Sequence, residues 1–254
     1  RTPSTGIGKL IQADRGTNRI YDHLRAQFAP TDPRANGYLS PRFFYRERTL
    51  VHDLLAGIED PEGPLIDIAC GSGLMFRKDD AVVGGRFVFG LDYNEDACQS
   101  AYENGLPVIR GDAFHLPVTG ASVGRAVCGQ FLQTQSDEGA DQFLFEAARI
   151  LKPGGHLIML WRSRSWLHDF AHWIHLVIDK LRRRQMVDHR DHTIDMIKKR
   201  AAAFGLTTVT AGRTLPFGKP ALHDAGSLLA RAVGASNCVV LRREIDAADQ
   251  GTVG

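Results

Sequence analysis

The segment PLIDIACGSGLM, residues 64–75, followed by FVFGLDYNEDAC, residues 87–98, constrains this 254-residue chain more than any other feature. An apolar run ends in an acid and a small-residue loop, a helical stretch follows, and a second apolar run ends in another acid, Asp92. The pattern predicts the first two strands of a parallel half-sheet of the nucleotide-binding kind. In such open sheets ligands bind beyond the carboxyl ends of the strands. Asp67, the loop from Cys70 to Gly73, and Asp92 are therefore expected along one crevice.

The alternation continues past this point. Strands are predicted at 65–69, 87–91, 107–110, 123–129 and 156–161, with helices near 74–83, 94–104 and 138–151. Strands that alternate with helices argue for a parallel sheet covered on both faces. The segment LKPGGHLIML, residues 151–160, reads as a helix end, a Pro/Gly turn and a strand apolar on both faces. After Trp161 the rhythm breaks into a helix-prone insertion over 162–190. A helix at about 193–204, a strand near 207–212, an irregular insert and a last strand at 237–242 follow. Asp191 or His192 would precede that helix as its cap, and the Asp188 to His192 stretch reads as a solvated turn.

Upstream, residues 1–16 are polar and rich in Gly, Ser and Thr, which predicts a flexible tail. Two helices, 17–28 and 41–55, precede the sheet, the second with Pro41 in a first-turn position. The chain is thus expected to be a single domain over 17–254. Its parts are cap helices at 17–57, a core at 64–161, a lid at 162–190 and a closing helix and hairpin at 191–254.

Composition narrows the class. With 43% hydrophobic and 24% charged residues and a formal net charge of +2, the chain reads as globular and lacks the net positive charge of a dedicated nucleic-acid binder. The four cysteines, Cys70, Cys98, Cys128 and Cys238, show no CxxC spacing and read as reduced thiols of a cytoplasmic protein. No apolar run approaches the roughly 20 residues of a membrane span, and no signal-peptide pattern opens the chain.

A Gly-rich turn at a helix start lets backbone approach a ligand and offers free N–H groups to an anion. Gly71, Ser72 and Gly73 fit a carboxylate or phosphate; a plain tight turn is the alternative. Phe76 stands where a dinucleotide fingerprint would have its third glycine. Asp92 occupies the place where an acid accepts ribose hydroxyls, or else caps the helix beginning near Asn94. Asp112, at the end of the third strand, can accept from an exocyclic amine while the next backbone N–H meets a ring nitrogen.

Five pieces, LIDIACGSG, the acid of FGLDYN, GDAFHLP, RAVCGQFL and ARILKPGGHLIML, occur in that order over residues 65–161. In this the chain resembles the class I S-adenosylmethionine-dependent methyltransferases. The resemblance implies a Rossmann-like α/β fold of seven strands, the last antiparallel, with N-terminal cap helices and a helical lid. It implies S-adenosyl-L-methionine as cofactor, with S-adenosyl-L-homocysteine as product. Asp67, Ala69, Cys70, Gly71 and Gly73 would surround the methionine end, Cys70 by packing. Asp92 would hold the ribose, Tyr93 would pack beside the adenine, and Asp112 with Ala113 would read its amino edge. Gly129 and Gln130 would lie near the sulfonium, and Tyr21 and Tyr38, from the upstream cluster that also holds Phe43 and Phe44, would close over the site. Gly129-Gln130-Phe131-Leu132 stands where DNA amino-methyltransferases carry an Asn/Asp-Pro-Pro-aromatic run, which argues against that substrate.

Methyl transfer from a sulfonium needs alignment in a dry pocket above all, and a base only where the acceptor is a hydroxyl or an acidic C–H. His168 and His172, four apart in the lid, are the candidates for that base; a polar stripe on a lid helix is the simpler reading. No carboxylate or cysteine set completes a zinc site around them, so no metal is expected. Arg162 and Arg164 face the same sheet end and could pair with an acidic acceptor, with surface solvation as an equal alternative. The expected partner is a small-molecule acceptor, without nucleic acid or a transmembrane span, and a homodimer is compatible with the sequence. Rival readings are a non-catalytic cofactor-binding regulator or accessory subunit, an RNA methyltransferase suggested by Arg182 to Arg184, and a nicotinamide-dependent oxidoreductase.

Overall fold

The computed structural model describes residues 22–38, 40–59, 62–76, 85–163, 190–217 and 219–245. The expected tail, Tyr21, Arg164, the lid residues with His168 and His172, and most of the helix expected at 74–83 lie outside these residues; Leu74 to Phe76 are not helical.

The apolar runs form the strands they predict. They are β1 Leu65–Ile68, β2 Val88–Asp92, β3 Val108–Arg110, β4 Val123–Gly129, β5 Leu151–Arg162, β6 Leu206–Thr214 and β7 Ser236–Arg243. They make one sheet of order β3-β2-β1-β4-β5-β7-β6. Strands β1 to β5 run parallel, and β7 lies antiparallel between β5 and β6. The order reverses between β1 and β4, which opens the crevice at their carboxyl ends.

Besides the helical residues 22–27, the helices are α1 Pro41–Ala56, α2 Glu95–Glu103, α3 Asp137–Ile150, α4 Ile194–Ala202 and the short α5 Leu228–Val233. Each of α1 to α5 starts at a side-chain cap. Ser40, Asn94, Ser136, Thr193 and Ser227 accept the N–H of Phe43, Ala97, Gly139, Met196 and Ala230. Such a cap contributes about 1 kcal/mol.

Period-two alternation in the strands divides the core between the two faces. Leu157, Met159 and Trp161 of β5 pack with Phe143, Leu144 and Ile197 of α3 and α4. Ile158 and Leu160 pack with Phe44, Leu50, Val51 and Leu55 of α1. Burying each large apolar side chain stabilises the fold by roughly 1.5–3 kcal/mol. The cap helix α1 is thereby seated on the sheet by its apolar stripe.

Four expectations are corrected. The segment 151–155 is a bulge inside β5, not a turn before it: Leu151 already pairs with Val123, and His156 resumes the ladder opposite Arg125. His192 is not solvated. It is 4% exposed, its Nε2 bonds the Gln135 carbonyl at 2.9 Å, and its own carbonyl accepts the Trp161 indole N–H at 2.7 Å. The cap of α4 is Thr193 rather than Asp191 or His192. The insert after β6 also contains α5, six residues long, too short to leave a helical period in the sequence.

Candidate donor site at the crevice

The loop after β1 is held in a sharp turn. Ala69 has φ 59°, Gly71 55° and Gly73 71°, all left-handed. A Cβ on Gly71 would stand 2.8 Å from the Asn36 side chain, and one on Gly73 3.1 Å from Ala101 and Leu106. The two glycines are therefore required by both backbone and space.

Asp92 anchors this loop from the next strand. Its Oδ2 accepts the N–H of Gly71 and its Oδ1 that of Asn94, each at 2.9 Å. The helix cap is Asn94 itself, so Asp92 is free of that duty. Burial raises the Asp92 carboxyl above its ordinary value, opposed by these N–H bonds and by the charge of Arg25. Asp67, 3% exposed, has an Oδ2 with no hydrogen-bond partner among the described residues. Burial pushes its carboxyl up to about 8, and the charge of Asp92 adds to this. A buried acid without a cation is costly, and an ammonium brought beside it would relieve that cost. The Cys70 thiol is raised well above its usual value by burial and by the two acids, which leaves it a packing residue rather than a nucleophile.

Across β3, Asp112 accepts the Phe114 N–H at 2.9 Å, and His115 Nδ1 lies 3.3 Å from its other oxygen. Ala113 is buried and Tyr93 is half-exposed. At the end of β4, Gln130 has φ 58°, a conformation costly for a residue with a side chain. Tyr38 Oη and Met75 Cε each lie 3.7 Å from where a Cβ of Gly129 would stand. Tyr38 packs edge-on against Phe44, with centroids 4.9 Å apart.

The fold thus brings Asp67, Ala69, Cys70, Gly71, Gly73 and Asp92 to one end of the sheet. Asp112 and Ala113 flank them on one side, and Gly129, Gln130 and Tyr38 on the other. Three further residues belong to this end and were not expected. Asn36, in the turn Pro33–Asn36, accepts the Ser72 N–H at 3.1 Å and the Ser72 hydroxyl at 3.0 Å. Arg25 lines a cavity of about 300 Å³ together with Phe28, Ser72, Asp96 and Ser100. Glu47 of α1 is 1% exposed and accepts both of its Gln130 contacts at 3.0 and 3.1 Å. A sequence signal existed for Glu47, since it falls in the stripe Phe44, Leu50, Val51 and Leu55. An acid in an apolar stripe demands a partner. Arg162, which could pair with an acidic acceptor, acts on Glu47 through its charge.

Among the described residues no group of three His, Cys, Asp or Glu is placed to hold a metal ion, and no helix is long and apolar enough to cross a membrane.

A seven-stranded sheet of this order, with acids at the ends of β1 and β2 around a glycine turn, defines the class I S-adenosylmethionine-dependent methyltransferases. Residues 66–159 match the family model described as a methyltransferase domain. The matched segment, from β1 into β5, is thus a methyltransferase domain, of the kind that takes S-adenosyl-L-methionine as its methyl donor. No curated protein matches it by sequence. Among solved structures it resembles a chain from the complex of the Haloferax volcanii Trm112 methyltransferase activator with a methyltransferase (19% identity, 81% of this chain and 91% of that one, TM-score 0.58). It also resembles a Thermotoga maritima protein described as a possible histamine N-methyltransferase (23%, 80% and 91%, 0.56). A third is the magnesium protoporphyrin IX methyltransferase of Synechocystis, solved with S-adenosyl-L-homocysteine (15%, 80% and 85%, 0.56). At these identities the likeness is one of fold, and the acceptors named for these proteins are theirs.

Proposed function

We propose that the chain methylates O, N or C of a small-molecule acceptor by in-line displacement, with the donor laid along the edge from Asp67 to Gln130. The observation that carries this reading is the Oδ2 of buried Asp67, without a hydrogen-bond partner among the described residues, beside the Asp92-anchored glycine turn. The donor's methionine end carries the ammonium that Asp67 lacks, and Ala69, Cys70, Gly71 and Gly73 would surround that end. Asp92 would take the ribose hydroxyls, Tyr93 would cover the adenine, and Asp112 and Ala113 would read its edge. Gly129 and Gln130 would border the sulfonium, with Tyr21 and Tyr38 closing from the cap. Bound there, S-adenosylmethionine supplies an activated methyl group.

The chain's own part is to bind, align and exclude water, which supplies most of the barrier reduction for such a transfer. For a hydroxyl or acidic C–H acceptor, His172 or His168 of the lid would take the proton. The protein would act in the cytoplasm as one methyltransferase domain, on small molecules rather than nucleic acid. Radiolabelled methyl transfer over a panel of small phenols, carboxylates, amines and activated carbons tests this. Turnover on one class, abolished in Asp67→Ala, is expected; label incorporated only into added RNA or protein would contradict the small-molecule reading.

A further inference from the structure

Glu47 is a buried acid that the donor contacts above leave unused. The other buried apolar residues of α1, Phe44, Leu50, Val51 and Leu55, complete its seat on the sheet, and an acid in their midst is costly unless it is paired and hydrogen-bonded. Glu47 is so bonded, by groups converging from three elements beyond its own. Gln130, just past β4, donates to both carboxylate oxygens. The Ser236 hydroxyl at the start of β7 donates to Oε1, and the Tyr38 hydroxyl bonds the carboxylate from the cap segment. Gln130 also donates to the Ser236 hydroxyl at 3.3 Å, which closes the network. Two of these partners border the crevice themselves: Gln130 is strained into a left-handed conformation, and Tyr38 Oη faces Gly129. The carboxylate therefore lies one side chain behind the surface at which β4 ends.

We propose that Glu47 is the anionic wall of the methyl-transfer centre: ionised, it stabilises the positively charged sulfonium donor over the neutral thioether product. The inference rests on the reading that the sulfonium lies by Gly129 and Gln130. In a water-excluded site a single charge acts through one layer of side chains with little screening, and a neutral thioether gains nothing from it. Product and donor differ only in the methyl group and its charge. The wall favours exchange of spent product for fresh donor.

Other charged and titratable groups near Glu47 are accounted for. Arg46 and Arg48 of its own helix reach the carbonyls of Leu215, Phe217 and Met75. Arg162 of β5 acts on Glu47 through its charge, and Tyr38 hydrogen-bonds it. Cys238 of β7 is raised by burial and then by Glu47, so it stays a thiol. Burial pushes the Glu47 carboxyl up to about 7 against the bonds from Ser236, Gln130 and Tyr38. A cation placed beside it draws that proton off.

Calorimetric titration of the whole chain with S-adenosylmethionine and S-adenosylhomocysteine between pH 5.5 and 8 tests this, for wild type and Glu47→Gln. The ratio of the two Kd values cancels every shared contact. In the wild type it should shift by about tenfold in favour of the donor as pH rises, levelling above about 7. In Glu47→Gln the ratio should be flat and less favourable to the donor at pH 8. If both ligands bind with a ratio unmoved by pH and by the substitution, Glu47 is structural only and the inference is overturned. Should Glu47→Gln fail to fold, the wild-type pH series still decides. If neither ligand binds at any pH, the donor reading itself fails and takes this inference with it.

Discussion

The Oδ2 of Asp92 accepts the N–H of Gly71 at 2.9 Å, so the acid that ends the second strand fixes the glycine turn that follows the first. One carboxylate thus orders the loop, and it is the acid proposed to hold the ribose. Removing it leaves the Gly71 and Asn94 N–H groups unpaired, which costs roughly 1–3 kcal/mol per buried donor. Asp92→Ala is expected to lower Tm measurably, and Asp92→Asn, which keeps an acceptor, to lower it less. Equal Tm losses would show that charge, not hydrogen bonding, holds the loop.

Asp67 and Glu47 set an alkaline limit. Their carboxyls stand at about 8 and about 7 in the fold, above the ordinary carboxylate values they have in the unfolded chain. Across that interval the folded protein holds protons that the unfolded chain has released. The stability they contribute is complete below the unfolded values and is lost as pH rises through 7 and 8. Chemical denaturation should show stability falling by a few kcal/mol between pH 6 and 9, with a shallower fall in Asp67→Asn. A rise over that range would contradict the burial argument.

Asn36 competes for the loop. Its Oδ1 holds the Ser72 N–H and hydroxyl, the groups an anionic end of a ligand would claim. Asn36→Ala should tighten S-adenosylhomocysteine binding by about two- to tenfold, the worth of one hydrogen bond. Weaker binding would make Asn36 a ligand contact rather than a competitor.

Glu146 acts at a distance through the loop after β3. It is 6% exposed, accepts the Leu116 N–H at 2.7 Å, and pairs with Arg149 at 2.8 Å, which holds its carboxyl below the ordinary range. Arg149 in turn donates to the Leu116 and Val118 carbonyls. Glu146→Ala should cost about 2–4 kcal/mol of stability and weaken S-adenosylhomocysteine binding, since Asp112 and Ala113 lie on the loop it pins. A loss of stability with unchanged affinity would separate that loop from the site.

The glycine turn and the strand ends around it were legible because their signals are local. An acid at a strand end, a glycine turn and a capping residue lie within a few positions of one another, and β1 to β4 follow from apolar runs. What escaped depends on contacts distant in sequence. Asn36 meets Ser72 across the cap, Glu47 meets Gln130 and Ser236 from three parts of the chain, and the bulge in β5 appears only against β4. His192 misled because polar neighbours suggested solvent, whereas the Trp161 indole and Gln135 carbonyl bury it.

The most direct measurement is calorimetric titration with S-adenosylmethionine, S-adenosylhomocysteine and NADH, for wild type and Asp92→Ala. Micromolar binding of the first two, absent for NADH and lost in the variant, is the expected result. Binding of NADH in preference, or donor binding undiminished in Asp92→Ala, would contradict a donor site built on Asp92 and the glycine turn.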